Sequence, residues 1–145
     1  MASEEPYSMY SFLLDRTARR VKQYAQNKFN TMGFNITVDQ WIVLRSLYDN
    51  NDLSQKELAD LIFKDTPTLT RIIDLLCEKG LTERKIDQKD RRCFNVHLTE
   101  KGKATVDELK PRIKDVRLKA WEGLSEKDFK EFKRILDAIY RNLEG

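Results

Sequence analysis

Apolar residues recur at helical spacing over most of the chain. From about Tyr7 to Met32 they return every three or four residues, which predicts a long amphipathic helix ending at Gly33. Thr37 and Gln40 have the spacing of a capping box, in which each residue hydrogen-bonds the other's backbone, and predict a second helix. A last helix is predicted after Ser125, with a strongly apolar face.

Two shorter helical segments occupy the middle of the chain. Ser54 and Glu57 form another capping-box spacing, which predicts a short third helix. Thr66 is the predicted cap of a fourth helix, with Pro67 in the first helical position, and Gly80 is predicted to end it.

After Gly80 the spacing changes to a period of two. Residues 81–86 and 93–98 are predicted to be strands joined by residues 87–92, with Phe94, Val96 and Leu98 facing the core. Thr99 then begins a long helix, which we expect to be interrupted or kinked near Pro111. The predicted fold class is mainly α with a small β-hairpin wing, a winged helix-turn-helix from about Leu53 to Thr99 flanked by long terminal helices.

Composition excludes several classes of protein. The 145 residues carry a net charge of +3, and their 40% hydrophobic content is that of a globular chain able to bury a core. Two cysteines and one histidine without metal-ligand spacing predict no metal site. We find no glycine-rich phosphate loop and no nucleophile elbow, so we predict neither an enzyme nor a cofactor. No signal peptide or membrane span is predicted, and we expect a cytoplasmic location.

Charge distribution is more informative than net charge. Residues 84–92 contain five basic and two acidic side chains, which gives the predicted hairpin a basic tip. A basic hairpin beside an exposed helix can contact DNA phosphates or a minor groove while the helix enters the major groove. The candidate DNA-contacting residues of the fourth helix are Thr66, Pro67, Thr68, Thr70 and Arg71.

Several segments together resemble the MarR family of transcriptional regulators. Asp90-Arg91-Arg92 and the run from Leu98 to Gly102, LTEKG, resemble the wing and wing exit of that family. Residues 54–59 (SQKELA) and 68–71 (TLTR) resemble its helix-turn-helix. The similarity extends over essentially the whole chain. It implies one domain, 1–145, in which 1–36 and 103–145 are dimerisation helices and 37–102 form the DNA-binding lobe.

The resemblance also implies partners and residue roles. It implies a homodimer on a pseudo-palindromic double-stranded operator, acting as a repressor. On this template Arg92 enters the minor groove and Asp90 orients it. The other implied contacts to the DNA backbone come from Ser54, Gln55, Lys56, Arg84, Lys89 and Arg91.

The sequence leaves open which signal such a regulator would receive, and whether it binds DNA at all. A small aromatic or anionic effector could bind among Tyr10, Arg16, Arg20, Trp41 and Arg45, which offer aromatic walls and cations. The alternatives are redox sensing through Cys93, whose pKa neighbouring arginines would lower, and a protein-interaction module without DNA binding. We expect Cys77 to be buried and structural, and His97 to be exposed.

Overall fold

The computed structural model describes residues 5–145 of the chain. Within that range the backbone forms six helices and three short strands. In chain order they are α1 (Tyr10–Thr31), α2 (Val38–Asp49), β1 (Leu53–Ser54), α3 (Gln55–Ile62), α4 (Thr66–Glu78), β2 (Thr82–Ile86), β3 (Phe94–Leu98), α5 (Glu100–Lys119) and α6 (Glu126–Asn142). This is the mainly helical, winged architecture that the sequence predicted.

Local capping chemistry determines where most helices begin. Thr37 and Ser54 form the capping boxes predicted for α2 and α3, and Ser125 forms a third one at α6. The prediction for α4 was wrong by one residue, because Asp65 is the N-cap and Thr66 already lies inside the helix. The Asp65 carboxylate accepts the backbone N–H of Thr68 at 2.9 Å, a stronger cap than a hydroxyl would provide.

The wing belongs to a three-stranded antiparallel sheet in the order β1-β3-β2. Val96 pairs with Leu53 on one side and Arg84 on the other, so β1 anchors the hairpin to the start of α3. Val96 and Leu98 are buried as predicted, but Phe94 is 49% exposed because it lies beyond the end of the core. The prediction that alternate side chains of β3 face the core is therefore wrong at Phe94, the end of the strand next to the wing tip.

One hydrophobic core joins the central helices to the sheet. It also includes Phe29 from α1 and Val106 and Ile113 from α5, so the flanking helices are packed directly onto the winged lobe. The side chains at the centre of this core are fully buried. They include Leu44, Leu47, Leu58, Leu69, Ile73 and Leu76.

Helix α5 begins in close contact with the entry to the wing. A Cβ on Gly102 would lie 2.1 Å from the carbonyl oxygen of Leu81, so this approach requires glycine. The predicted interruption at Pro111 is absent, since α5 continues through it to Lys119. Pro111 and Asp107 are both exposed, so water can satisfy the carbonyl that lacks its N–H partner.

The outer helices leave much of their apolar surface uncovered. Helix α6 contains no buried residue, and Phe29 is the one buried residue of α1. Along the part of the chain that is described, no helix combines the length and hydropathy needed to cross a membrane.

Candidate nucleic-acid interface

The N-terminal turn of α4 forms the exposed tip of the central lobe. Leu69, Ile72 and Ile73 face the core, which leaves Thr66, Pro67 and Arg71 exposed on the opposite side. Arg71 makes no hydrogen bond or ion pair with another residue in the described range 5–145. Its guanidinium is therefore available for a bidentate contact to guanine or phosphate.

Two of the three threonine hydroxyls of α4 are engaged within the protein. Thr68 donates its hydroxyl to the Asp65 carboxylate at 2.9 Å. Thr70 donates to the Thr66 carbonyl at 2.9 Å and accepts the Gln55 side-chain amide at 2.6 Å. Gln55 and Thr70 thereby fix α3 against α4, whereas the sequence indicated DNA contacts for both.

Helix α3 presents its N-terminus beside α4. The Ser54 hydroxyl accepts the Glu57 N–H at 3.0 Å, and the Glu57 carboxylate accepts the Ser54 N–H at 3.2 Å. Lys56 follows on the exposed side. This helix end and its lysine can bind a phosphate, although the Glu57 carboxylate already occupies one backbone donor.

The wing tip is a tight loop organised by aspartates. Asp87 accepts the Lys89 N–H at 2.8 Å, and Asp90 accepts the backbone N–H of Arg92 at 3.0 Å and its Nε at 3.2 Å. These donors, the Arg92 backbone first, lower the pKa of the Asp90 carboxyl. The Arg92 side chain is nonetheless 92% exposed, so one nitrogen is anchored while the rest of the guanidinium projects outward.

Arg84 connects the wing to α4. Its guanidinium forms an ion pair with Asp74 at 2.7 Å and approaches the Thr70 carbonyl at 3.5 Å. Its side chain is 26% exposed, much less than that of Arg92. Sequence reasoning assigned Arg84 to the DNA backbone and missed Asp74 as its partner. In the structure, Arg84 holds the base of the wing against the middle of α4.

The cysteines and the histidine differ in part from expectation. Repulsion by the neighbouring Asp90 carboxylate raises the pKa of the Cys93 thiol, so the expected lowering by arginines was wrong. Cys77 is half-buried, with its sulfur 3.2 Å from the Thr82 hydroxyl. His97 is half-buried rather than exposed, and its Nε2 lies 3.2 Å from the Asp52 carboxylate.

The candidate effector site is partly assembled. A cavity of about 840 Å³ lies among α1, α2, α5 and α6, with Tyr10 and Trp41 in its wall. Arg16, Arg20 and Arg45 are not among its lining residues, and Arg45 instead pairs with Asp49 at 3.2 Å. The cations that line it are Lys22 and Arg117, which sequence reasoning missed because periodicity does not fix how α1 and α5 are rotated.

Fold and site together define a winged helix-turn-helix protein. The family model that matches the chain, over residues 36–94, is that of the MarR family. Over this segment the chain matches a family whose members are transcription regulators and not enzymes. The matched segment runs from just before α2 to the first residue of β3 and includes all of the wing tip.

Solved structures resemble the chain over nearly its full length. MepR from S. aureus in complex with DNA is 27% identical and has a TM-score of 0.79, with 92% of this chain and 98% of that one covered. A MarR transcriptional regulator from Methanosarcina mazei is 25% identical, with a TM-score of 0.80 and coverages of 92% and 95%. A Listeria innocua protein of unknown function is 33% identical, with a TM-score of 0.69 and 95% of each chain covered.

Proposed function

We propose that this regulator is a homodimeric repressor that binds a pseudo-palindromic operator through α4 and the wing. The observation that carries the proposal is the geometry joining Arg71 to the wing. Arg71 stands exposed on the N-terminal half of α4, and Arg84 fixes the arginine-tipped hairpin to the same helix. A helix and hairpin held in this relation can occupy a major groove and the adjacent minor groove together.

Residue roles in this proposal follow side-chain availability. Arg71 reads a base edge, Arg92 enters the minor groove, and Lys56, Lys89 and Arg91 contact phosphates. Thr66 and Pro67 approach the bases at the exposed turn of α4. Ser54, Gln55, Thr68, Thr70 and Arg84 support the interface from within, through the hydrogen bonds described above.

The homodimer is proposed from the uncovered terminal helices. On α1, Phe12 and Val21 are more than half exposed, and on α6 the phenylalanines Phe129 and Phe132 are each 45% exposed. Apolar surface of this extent along two helices is typical of an interface between subunits. A two-fold axis through these helices would present two winged lobes to two half-sites, which is why the operator is proposed to be pseudo-palindromic.

Effector release is proposed to act at the 840 Å³ cavity. Tyr10 and Trp41 supply aromatic walls, and Lys22 and Arg117 supply positive charge for a small aromatic or anionic ligand. Because helices of both the terminal and the central regions form this cavity, a ligand there can change how the two lobes are spaced. The site of action would be the cytoplasm, where chromosomal DNA is accessible.

The test begins with selection of duplexes bound by the protein from a genomic library. We expect a sequence with two-fold symmetry, and Arg71→Ala should reduce discrimination against substitutions at one position in each half-site. Lys114→Ala, an exposed change on α5, is the matched control. Recovery of no preferred sequence would refute an operator-binding function, and uniform weakening by Arg71→Ala would make Arg71 a phosphate contact. Repression is tested separately by a reporter placed under the selected operator.

A further inference from the structure

A second cleft lies at the opposite end of α4 from its DNA-facing turn. It has a volume of about 460 Å³ and is bounded by the α1–α2 loop, the end of α4 and the first half of α5. This volume is in the range of small-molecule sites. The cleft shares no lining residue with the 840 Å³ cavity, so it is a separate site.

Three cations line this cleft without a carboxylate partner in the described part of the chain. Lys79 donates to the Asn35 carbonyl at 2.7 Å and to the Gln40 side-chain oxygen at 3.0 Å. Lys101 donates to the Lys79 carbonyl at 2.9 Å. The third cation is Arg112, whose guanidinium lies 4.7 Å from the centroid of the Phe34 ring. Uncompensated cations in a concave site attract anions.

Lys79 is partly buried without an opposite charge beside it within residues 5–145. Burial lowers the pKa of its ammonium group, and its two acceptors are neutral. An anion that reached Lys79 would supply the missing opposite charge. The ammonium group has three N–H donors and uses two of them, so one remains for a ligand.

The other lining residues restrict the class of anion. Glu78 and Glu108 also border the cleft and reduce its net charge to about +1, which disfavours dianions such as phosphate. Phe34, Ile36 and Leu109 provide apolar surface. We propose that this cleft binds a small monocarboxylate, with its carboxylate among Lys79, Lys101 and Arg112 and its apolar body on Phe34 and Leu109.

Occupancy of this cleft would affect α4 directly. Lys79 is the C-cap residue of α4, and its ammonium group joins that helix to the α1–α2 loop and to the capping box of α2. A carboxylate held by the third N–H pulls the ammonium group toward the cleft and weakens its hydrogen bonds to Asn35 and Gln40. The ligand therefore lowers the affinity of the protein for DNA. This regulatory role rests on the proposed function, whereas binding of the ligand to the cleft is independent of it.

Hexanoate is a suitable probe, and neutral hexanamide is its matched control. In a ¹H–¹⁵N NMR titration we expect hexanoate to shift the amides of residues 33–36 and 79–81, with a Kd of about 1 mM. Lys79→Gln and Arg112→Gln should each weaken binding by about tenfold, as loss of a charged hydrogen-bond donor does. Lys103→Gln, the same change on α5 outside the cleft, should leave binding unchanged.

Three results would overturn the proposal. The first is the absence of amide shifts up to about 50 mM hexanoate, which is roughly fifty times the expected Kd. The second is that hexanamide causes equal shifts. The third is loss of hexanoate binding in Arg117→Gln, a variant that alters the larger cavity. Hexanoate should also weaken DNA binding by the wild type several-fold and have no effect on Lys79→Gln. If hexanoate binds but no operator is found, the proposed function fails while the binding site stands.

Discussion

The winged lobe and the terminal helices have similar amphipathic patterns but very different burial. In the lobe, Leu58, Leu69 and Ile73 are fully buried, each on a helix of eight to thirteen residues. Helix α6 has seventeen residues and buries none of them. An apolar stripe on a helix thus predicts that this face will be buried against another element. Whether that element belongs to the same chain depends on the loops that connect the helices.

Short connections explain the lobe. Three residues separate α3 from α4, so the two apolar stripes meet with little loss of chain entropy. Helix α6 is joined to α5 by six residues, yet it contributes no residue to the core. The lobe is therefore complete within one chain, and the terminal helices are complete, on our proposal, when a second copy is present.

Ile73→Ala should have the largest effect on folding. The side chain is fully buried between α4 and the core, so truncation should lower the free energy of unfolding by about 2–5 kcal/mol. Leu143→Ala, at a side chain that is 73% exposed beyond α6, should change it by less than about 0.5 kcal/mol. Urea unfolding at fixed protein concentration measures both, and equal losses would contradict the contrast between the two regions.

Phe132→Glu should separate the subunits without unfolding the lobes. A carboxylate on the apolar face of α6 would be buried without a partner in the proposed dimer, so sedimentation velocity should detect monomers. Affinity for an operator with two half-sites should fall by about a hundredfold, because the second contact is no longer linked to the first. Lys130→Glu, on the exposed side of α6, is the control. A dimeric Phe132→Glu protein would refute this interface.

Arg92→Ala should weaken DNA binding by about tenfold on both specific and nonspecific duplexes. The slope of log affinity against log salt concentration should become shallower by about one unit, because the protein neutralises about one DNA phosphate fewer. Asp90→Asn keeps a side-chain acceptor but removes its charge, so it should cause a smaller loss. An unchanged affinity and slope in Arg92→Ala would exclude the wing from the mechanism.

Local signals in the sequence were sufficient for most of the fold. The capping boxes at Thr37 and Ser54 and the period-two hairpin depend on residues within a few positions of one another. The cap of α4 was misplaced because Asp65 and Thr66 are both good caps before Pro67. The bond to Asp65 comes from the backbone N–H of Thr68, and because a backbone N–H lies three residues after either candidate, spacing alone does not choose between them.

Contacts between distant elements could not be predicted in this way. The Gln55–Thr70 bond spans fifteen residues and requires the crossing of α3 and α4 to be known. The Arg84–Asp74 pair likewise depends on how the wing lies against α4. Basic residues near DNA-binding motifs are readily assigned to phosphates from the sequence, whereas Arg84 has an acidic partner that appears once the chain is folded.

The Arg84–Asp74 pair can be separated from a phosphate contact by a double-mutant cycle. If the pair positions the wing, Arg84→Ala and Asp74→Ala should each weaken DNA binding slightly, and the double variant should lose no more than the single ones. The coupling should be below about 1 kcal/mol, as expected for a partly exposed ion pair. If Arg84 instead binds phosphate, Asp74→Ala should strengthen binding and Arg84→Ala alone should reduce the salt slope.

The cap of α4 should make a small, pH-dependent contribution to stability. Hydrogen bonds from Thr68, the backbone N–H first and then the hydroxyl, lower the pKa of the Asp65 carboxyl. Because the folded pKa lies below the unfolded value near 3.8, this stabilisation is present above pH 4 and is lost as the pH falls through the folded pKa. Asp65→Asn keeps an acceptor for the cap but removes the titrating group.

The urea midpoint of the wild type should therefore exceed that of Asp65→Asn at pH 7. The difference should shrink once the pH falls below about 4, while titration of the other carboxylates cancels between the two proteins. A difference that stays constant between pH 7 and pH 3 would mean that the Asp65 charge contributes nothing to the cap. The N-terminal turn of α4 would then depend on hydrogen-bond geometry alone, as α2 does at its Thr37 hydroxyl.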